Sequence, residues 1–197
     1  MATSAATATR ISPFMPGGAA DGTRLTSGAV ALTDLTHKPR FGLKGGGSAA
    51  WFAAQGVTLP AINRIGDHRG MRVLRLGSED ILLLADGAEE TLAEVKTAWQ
   101  AAPAPKGYSS WREEGWAWMR LSGPRLAEAM SRLCALDLRA EKFGADDIAQ
   151  TRVGHIEAVT FRSPTGFDIL FDITASAYFA RVVASVASHT DQHRGHS

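Results

Sequence analysis

The sequence predicts an α+β protein made of two tandem ferredoxin-like β-α-β-β-α modules, with antiparallel sheets and helices packed on one face of each. Three observations lead there. A strand–helix–strand–strand–helix order of hydrophobic patterns occurs twice in the 197 residues. The two runs are separated by Ala101-Ala102-Pro103-Ala104-Pro105-Lys106-Gly107, a Pro-rich connector. Within each run the apolar period changes from two, as a half-buried strand needs, to the 3.6 of a helix.

In the first half, Arg40–Lys44 is a short strand, and Ser48 caps a helix through Gln55 that Gly56 ends in the left-handed conformation. Arg72–Leu76 and Asp80–Leu84 form a hairpin around Gly77-Ser78-Glu79. Glu90–Gln100 puts Leu92, Val95 and Trp99 on one helical face. In the second half, Trp116–Leu121 alternates Ala117, Met119 and Leu121 against Trp116, Trp118 and Arg120. Pro124 fits a first helical turn, followed by a stripe of Leu126, Ala129, Met130, Leu133 and Cys134. His155–Arg162 and Phe167–Ile173 are strands joined by Ser163-Pro164-Thr165-Gly166, where Pro presets φ and Gly accepts a positive one. Phe167, Ile169, Phe171 and Ile173 are expected to face the core, with Asp168 and Asp172 on a wet face. Ala175–Ala187 completes the half as a helix. The expected organisation is a flexible arm over 1–23, one domain over 24–187 with halves of about 24–100 and 108–187, and a disordered polar tail over 188–197.

A net charge of +1, from 21 Lys+Arg against 20 Asp+Glu, argues against a broad field for nucleic acid or an anionic membrane. No apolar run approaches the roughly 18 residues of a spanning helix. One cysteine excludes an internal disulfide and a CxxC zinc site, and fits a reducing, cytoplasmic setting.

The candidates for chemistry are few. No G-x-S-x-G elbow, G-x-G-x-x-G turn or P-loop occurs. Cys134 falls on an apolar helical stripe and reads as a buried thiol. Gly45-Gly46-Gly47 either offers backbone N–H groups to an anion or lets strand and helix meet sharply. His189, His193 and His196 have a ligand-like spacing without a packed scaffold, so no metal is expected. Arg64, Asp67 and His68 are weak candidates for ligand contact, the last two in a Gly-bounded polar loop. Trp111, Trp116 and Trp118 lie close together in sequence, and Trp116 and Trp118 share a strand face opposite Ala117 and Met119; large apolar groups on both faces call for either internal packing or a partner interface.

The run Asp34-Leu35-Thr36-His37-Lys38-Pro39-Arg40-Phe41-Gly42-Leu43-Lys44-Gly45 resembles the first strand of the aminomethyltransferase (glycine-cleavage T-protein) fold. Val73–Leu84 is similar to its central hairpin, Leu121-Ser122-Gly123-Pro124-Arg125 to its strand-to-helix step, and Thr165-Gly166-Phe167-Asp168-Ile169 to its late hairpin. The chain's length and the Gly56-Val57-Thr58-Leu59-Pro60 segment followed by Asn63 resemble most the gamma subunits of heterotetrameric sarcosine oxidases.

That resemblance implies a subunit of a cytoplasmic complex oxidising sarcosine to glycine, with tetrahydrofolate as one-carbon acceptor. It implies alpha, beta and delta partner subunits, with FAD, FMN, NAD and tetrahydrofolate held by them and no cofactor bound by this chain. Two departures bear on catalysis. The family's late hairpin reads roughly T-G-E-D-G-F-E-I, and Pro164 stands where its pterin-gripping Glu belongs. The nearest acid to the family's catalytic aspartate, Asp67, sits in an unmatched loop. The expectation is a structural subunit without catalytic residues of its own, the alternative being a one-carbon transfer protein that binds folate by itself.

Overall fold

The computed structural model describes residue 14 and residues 23–24, 29–109 and 112–192. The chain order is β1 (Thr23–Arg24), β2 (Ala31–Asp34), β3 (Arg40–Lys44), α1 (Ser48–Ala54), β4 (Arg64–His68), β5 (Met71–Gly77), β6 (Asp80–Leu84) and α2 (Glu89–Ala101). It continues with the single turn α3 (Arg112–Gly115), β7 (Trp116–Ser122), α4 (Leu126–Leu133), β8 (Ile148–Val153), β9 (Ile156–Ser163), β10 (Gly166–Asp172), a 3-10 turn (Ile173–Ala175) and α5 (Ser176–Gln192).

All strand pairs are antiparallel, in a sheet ordered β3-β6-β5-β4 and a second ordered β1-β2-β7-β10-β9-β8. Period-two alternation gives each central strand two apolar faces, and the molecule covers both. Phe41, Val73, Ile81 and Leu83 pack under Phe52 of α1 and Leu92 and Val95 of α2. The opposite residues Leu74, Leu82 and Leu84 meet Trp118, Phe161 and Leu170 of the second sheet. That sheet's far face, with Met119, Leu121, Ile169 and Phe171, packs under Met130 of α4 and Phe179 and Val183 of α5. The layers therefore run helix, sheet, sheet, helix. Each fully buried Leu or Phe in them contributes roughly 1.5–3 kcal/mol.

The expected helices-on-one-face arrangement holds for both sheets. The expected β-α-β-β-α module does not: each half contains a further strand, β4 or β8, giving β-α-β-β-β-α. The segment 55–70 between α1 and β5, where the sequence reading places no strand, contains β4. Both hairpins that these strands open turn on two residues of positive φ, Arg69-Gly70 (51° and 84°) and Gly154-His155 (59° and 68°). This is the backbone geometry that matches strand twist, and it takes His155 out of the strand.

Other local differences have simple causes. Ser48 is the first helical residue, not the cap; its hydroxyl donates to the Gly45 carbonyl at 2.6 Å while Gly47 turns at φ 87°. Pro124 precedes α4 by two residues. α5 continues to Gln192, so helix replaces the first part of the expected 188–197 tail; residues 193–197 lie outside the described residues. Of the expected 1–23 arm, Phe14 packs against the core under α4 and α5, and Thr23 pairs with Asp34. The rest of the arm lies outside the described residues.

Candidate functional site

A cluster of charged groups lies in the layer between the sheets, around the fully buried Asp168. Asp168 of β10 and Arg120 of β7 are direct cross-strand neighbours, on the strand face that also carries Trp118 and Leu170. Arg120 donates to Asp168 through Nε at 2.6 Å and Nη2 at 3.0 Å. From the other sheet, Arg72 of β5 reaches across to the same carboxylate at 3.0 Å. Its guanidinium lies 5.1 Å from the Phe161 ring centroid and 5.7 Å from that of Trp118, so the cation is stacked as well as paired. Asp168 is fully buried, which corrects the expectation that it faces water: the first sheet covers that side.

The network continues outward. Arg120 lies 3.8 Å from Asp86, which accepts from Lys38 Nζ at 2.8 Å. The Lys38 hydrogen bond holds the Asp86 carboxyl below the usual range, with the Lys38, Arg120 and Arg72 charges adding and partial burial opposing. The hydrogen bond to Asp168 raises the Arg120 pKa.

Beside this network lies a cleft of about 770 Å³ between the β4–β5 hairpin and the β9–β10 turn, lined by Asp67, Arg72, Asp86, Asp146, Ser163 and Pro164 among others. Asp67 is on strand β4, not in a loop, and its Oδ1 accepts from the Gly70 N–H at 3.4 Å. Strand alternation puts Arg64 and His68 on the opposite face of β4 from Asp67. Arg64 is ion-paired with Asp147, and His68 pairs in register with Met71. The three predicted contact residues thus share a strand without converging. The structure does bring Asp67 and Pro164 to one cleft, so the position matched to the family's pterin-gripping Glu faces it with a side chain that has neither carboxylate nor N–H.

Trp118 is fully buried between the sheets and is not a partner surface. Trp116 is half-buried, with the Arg112 guanidinium 4.9 Å from its ring centroid. Trp111 lies outside the described residues. At Gly45-Gly46-Gly47 the anion is the chain's own: Glu79 accepts from the Ala49 N–H at 3.0 Å, and its carbonyl accepts from Gly45 at 2.9 Å. Cys134 is buried, as expected. His189 bonds the Ser185 carbonyl at 2.7 Å, whereas His193 and His196 lie outside the described residues. Among the described residues no group of His, Cys, Asp or Glu could hold a metal ion, and no helix is long and apolar enough to cross a membrane.

The Asp168–Arg120–Arg72 network was missed from sequence, although a signal was present. Arg120 and Asp168 each interrupt an apolar strand with opposite charge, a pattern that suits cross-strand pairing.

No protein-family model matches the chain. In three dimensions it is similar to a chain of the heterotetrameric sarcosine oxidase from Corynebacterium sp. U-96, solved in complex with pyrrole 2-carboxylate. The TM-score is 0.67 over 83% of this chain and 87% of that one, and at 24% identity the likeness shows the fold. In sequence it is 30% identical over 141 residues to the sarcosine oxidase subunit gamma of Corynebacterium sp. (strain U-96), covering 68% of this chain and 67% of the relative. On that identity and coverage, the chain belongs to the sarcosine oxidase gamma-subunit family.

Proposed function

We propose that this chain is a non-catalytic structural and assembly subunit of a heterotetrameric, cytoplasmic sarcosine oxidase, with an aminomethyltransferase-like domain over about 24–187. Alpha, beta and delta subunits are its partners. They carry FAD, FMN, NAD and tetrahydrofolate, and the complex demethylates sarcosine oxidatively to glycine. Kinship to a gamma subunit is the observation that carries the reading. The site supports it: the buried carboxylate Asp168 is fully engaged by Arg72 and Arg120, and Pro164 faces the cleft where a pterin-binding acid would be needed.

The test is co-expression with the three partner chains, reading the subunits that co-elute, the flavin absorbance and sarcosine turnover with and without this chain. A yellow four-chain complex that loses stability or assembly when the chain is omitted is expected, together with no reduced-folate binding by the isolated chain. A colourless protein eluting alone would overturn the reading. Folate binding by the isolated chain would favour the alternative, an autonomous one-carbon transfer protein using the cleft wall at Asp67.

A further inference from the structure

We infer that the groove beside α4 docks a partner-subunit segment presenting a carboxylate among apolar side chains, with the carboxylate received by Arg162. The inference rests on the subunit reading above. The groove has a volume of about 750 Å³ and is lined by Leu126, Met130, Leu136, Leu138 and Phe167, with Arg162 in its wall. Leu136 stands at its lip, 48% exposed. A large apolar side chain left in water beside an apolar groove is how protein-binding surfaces are commonly built.

Arg162 supplies the specificity. Its Nε donates to the Phe143 carbonyl at 2.9 Å and its Nη2 to the Leu138 carbonyl at 2.5 Å. The guanidinium lies 4.9 Å from the Phe167 ring centroid. The group is therefore held rigidly, yet both acceptors are neutral, and among the described residues no carboxylate pairs with it. Arg72, Arg112, Arg120 and Arg139 each have such a partner. Of the two carboxylates in the lining, Asp137 is already held by Arg139 at 2.7 Å, and the charge of Glu141 also acts on Arg139. A fixed guanidinium with an open Nη1, set in a mainly apolar wall, is complementary to a carboxylate arriving with apolar neighbours. Leu136, in the lining yet 48% exposed, carries the apolar wall out toward solvent, which suits an extended polypeptide better than a small carboxylic acid.

The experiment uses the four-chain complex. Leu136→Asp puts a like charge at the lip where the incoming carboxylate must pass, and Arg162→Gln removes its receptor while keeping an N–H donor for the supporting carbonyls. Each is expected to weaken association of this chain with the complex by about tenfold or more. Tyr178→Asp, an exposed site on α5, serves as the control and leaves association unchanged. Thermal melting of each isolated variant separates lost docking from lost folding; if Arg162→Gln melts early, Leu136→Asp alone decides. Wild-type affinity in the folded variants would overturn the inference. Failure of the wild-type chain to assemble would overturn the subunit reading instead.

Discussion

Replacing Asp168 by Asn keeps the side chain's shape and one acceptor but removes its charge. The carboxylate is fully buried, while the Arg72 and Arg120 side chains that grip it are only 22% and 18% exposed. Asp168→Asn therefore leaves two half-buried guanidiniums facing each other with Asp86, 3.8 Å from Arg120, as the nearest remaining counter-charge. Breaking a buried ion pair from one side typically costs about 3–5 kcal/mol, most of it the penalty of the charge left behind. In a chain of this length each ~1 kcal/mol lowers the melting temperature by about 2–4 °C, so a drop of roughly 6–20 °C is expected. Calorimetry and urea unfolding of the isolated chain measure it. Arg72→Met, Arg120→Met and Asp168→Leu combined remove all three charges and are expected to recover most of the loss. A single Asp168→Asn variant within about 0.5 kcal/mol of wild type, the range of an ordinary surface change, would refute the pinning role. A triple variant no better than the single one would refute the argument that the orphaned cations are what costs.

Acid titration tests the outer end of the same network. The Asp86 pKa is lowered from 3.8, so its contribution to stability is fully present above that value and is lost as pH falls through the lower folded value. Lys38→Met is expected to move the Asp86 midpoint back toward 3.8 by carboxyl NMR and to flatten that part of the stability profile. On the surface, the Arg139 hydrogen bond chiefly sets the Asp137 carboxyl at about 2, and Arg139→Gln should return the NMR midpoint toward the ordinary value. Two glycines of positive φ should respond differently to alanine. At Gly56, φ 78° and no atom within 4 Å of an added Cβ, the cost is only the backbone's, about 1 kcal/mol. At Gly123, φ 124° with the Ala29 carbonyl oxygen 2.5 Å from the added Cβ, the same change must also displace backbone. It is expected to cost more than twice as much by urea unfolding.

The strands that sequence made legible are those with an apolar residue at every second position and a turn signal at the end. β3, β5, β6 and β10 emerge within a residue of their expected bounds for that reason. β4 and β8 did not, because each carries too little apolar surface for a period-two signal, unlike the edge strand β3 with its buried Phe41 and Leu43. Arg64-Ile65-Gly66-Asp67-His68 has one large apolar residue, and in β8 Gln150 and Arg152 are exposed. Asp168 was misplaced by the same rule that located its strand. Alternation separates two faces but cannot say that the second is also covered, and the evidence for the cover lay in a different strand pair, Leu82 and Leu84 of β6. The weak site candidates share this origin: Arg64, Asp67 and His68 are close in sequence, and strand geometry divides them.

The duplicated order explains where a partner can act. β3-β6-β5-β4 and β7-β10-β9-β8 are the same arrangement of first, fourth, third and second strand of each half. The second sheet is then widened by β2 and β1 on the β7 edge. Packing the two sheets face to face buries both inner surfaces, and the helices bury both outer ones. The central strands of both sheets are thereby covered on both faces. Two openings flank this core: the cleft that holds Asp67 and Pro164, and the groove beside α4 that holds Leu136. Arg162 at the end of β9 lines both. A residue that walls two openings while anchored to the carbonyls of Leu138 and Phe143 couples the loop after α4 to the mouth of the cleft. If a partner engages Arg162 from the groove, the cleft's wall is fixed by the same contact, which ties assembly to a cleft between the halves.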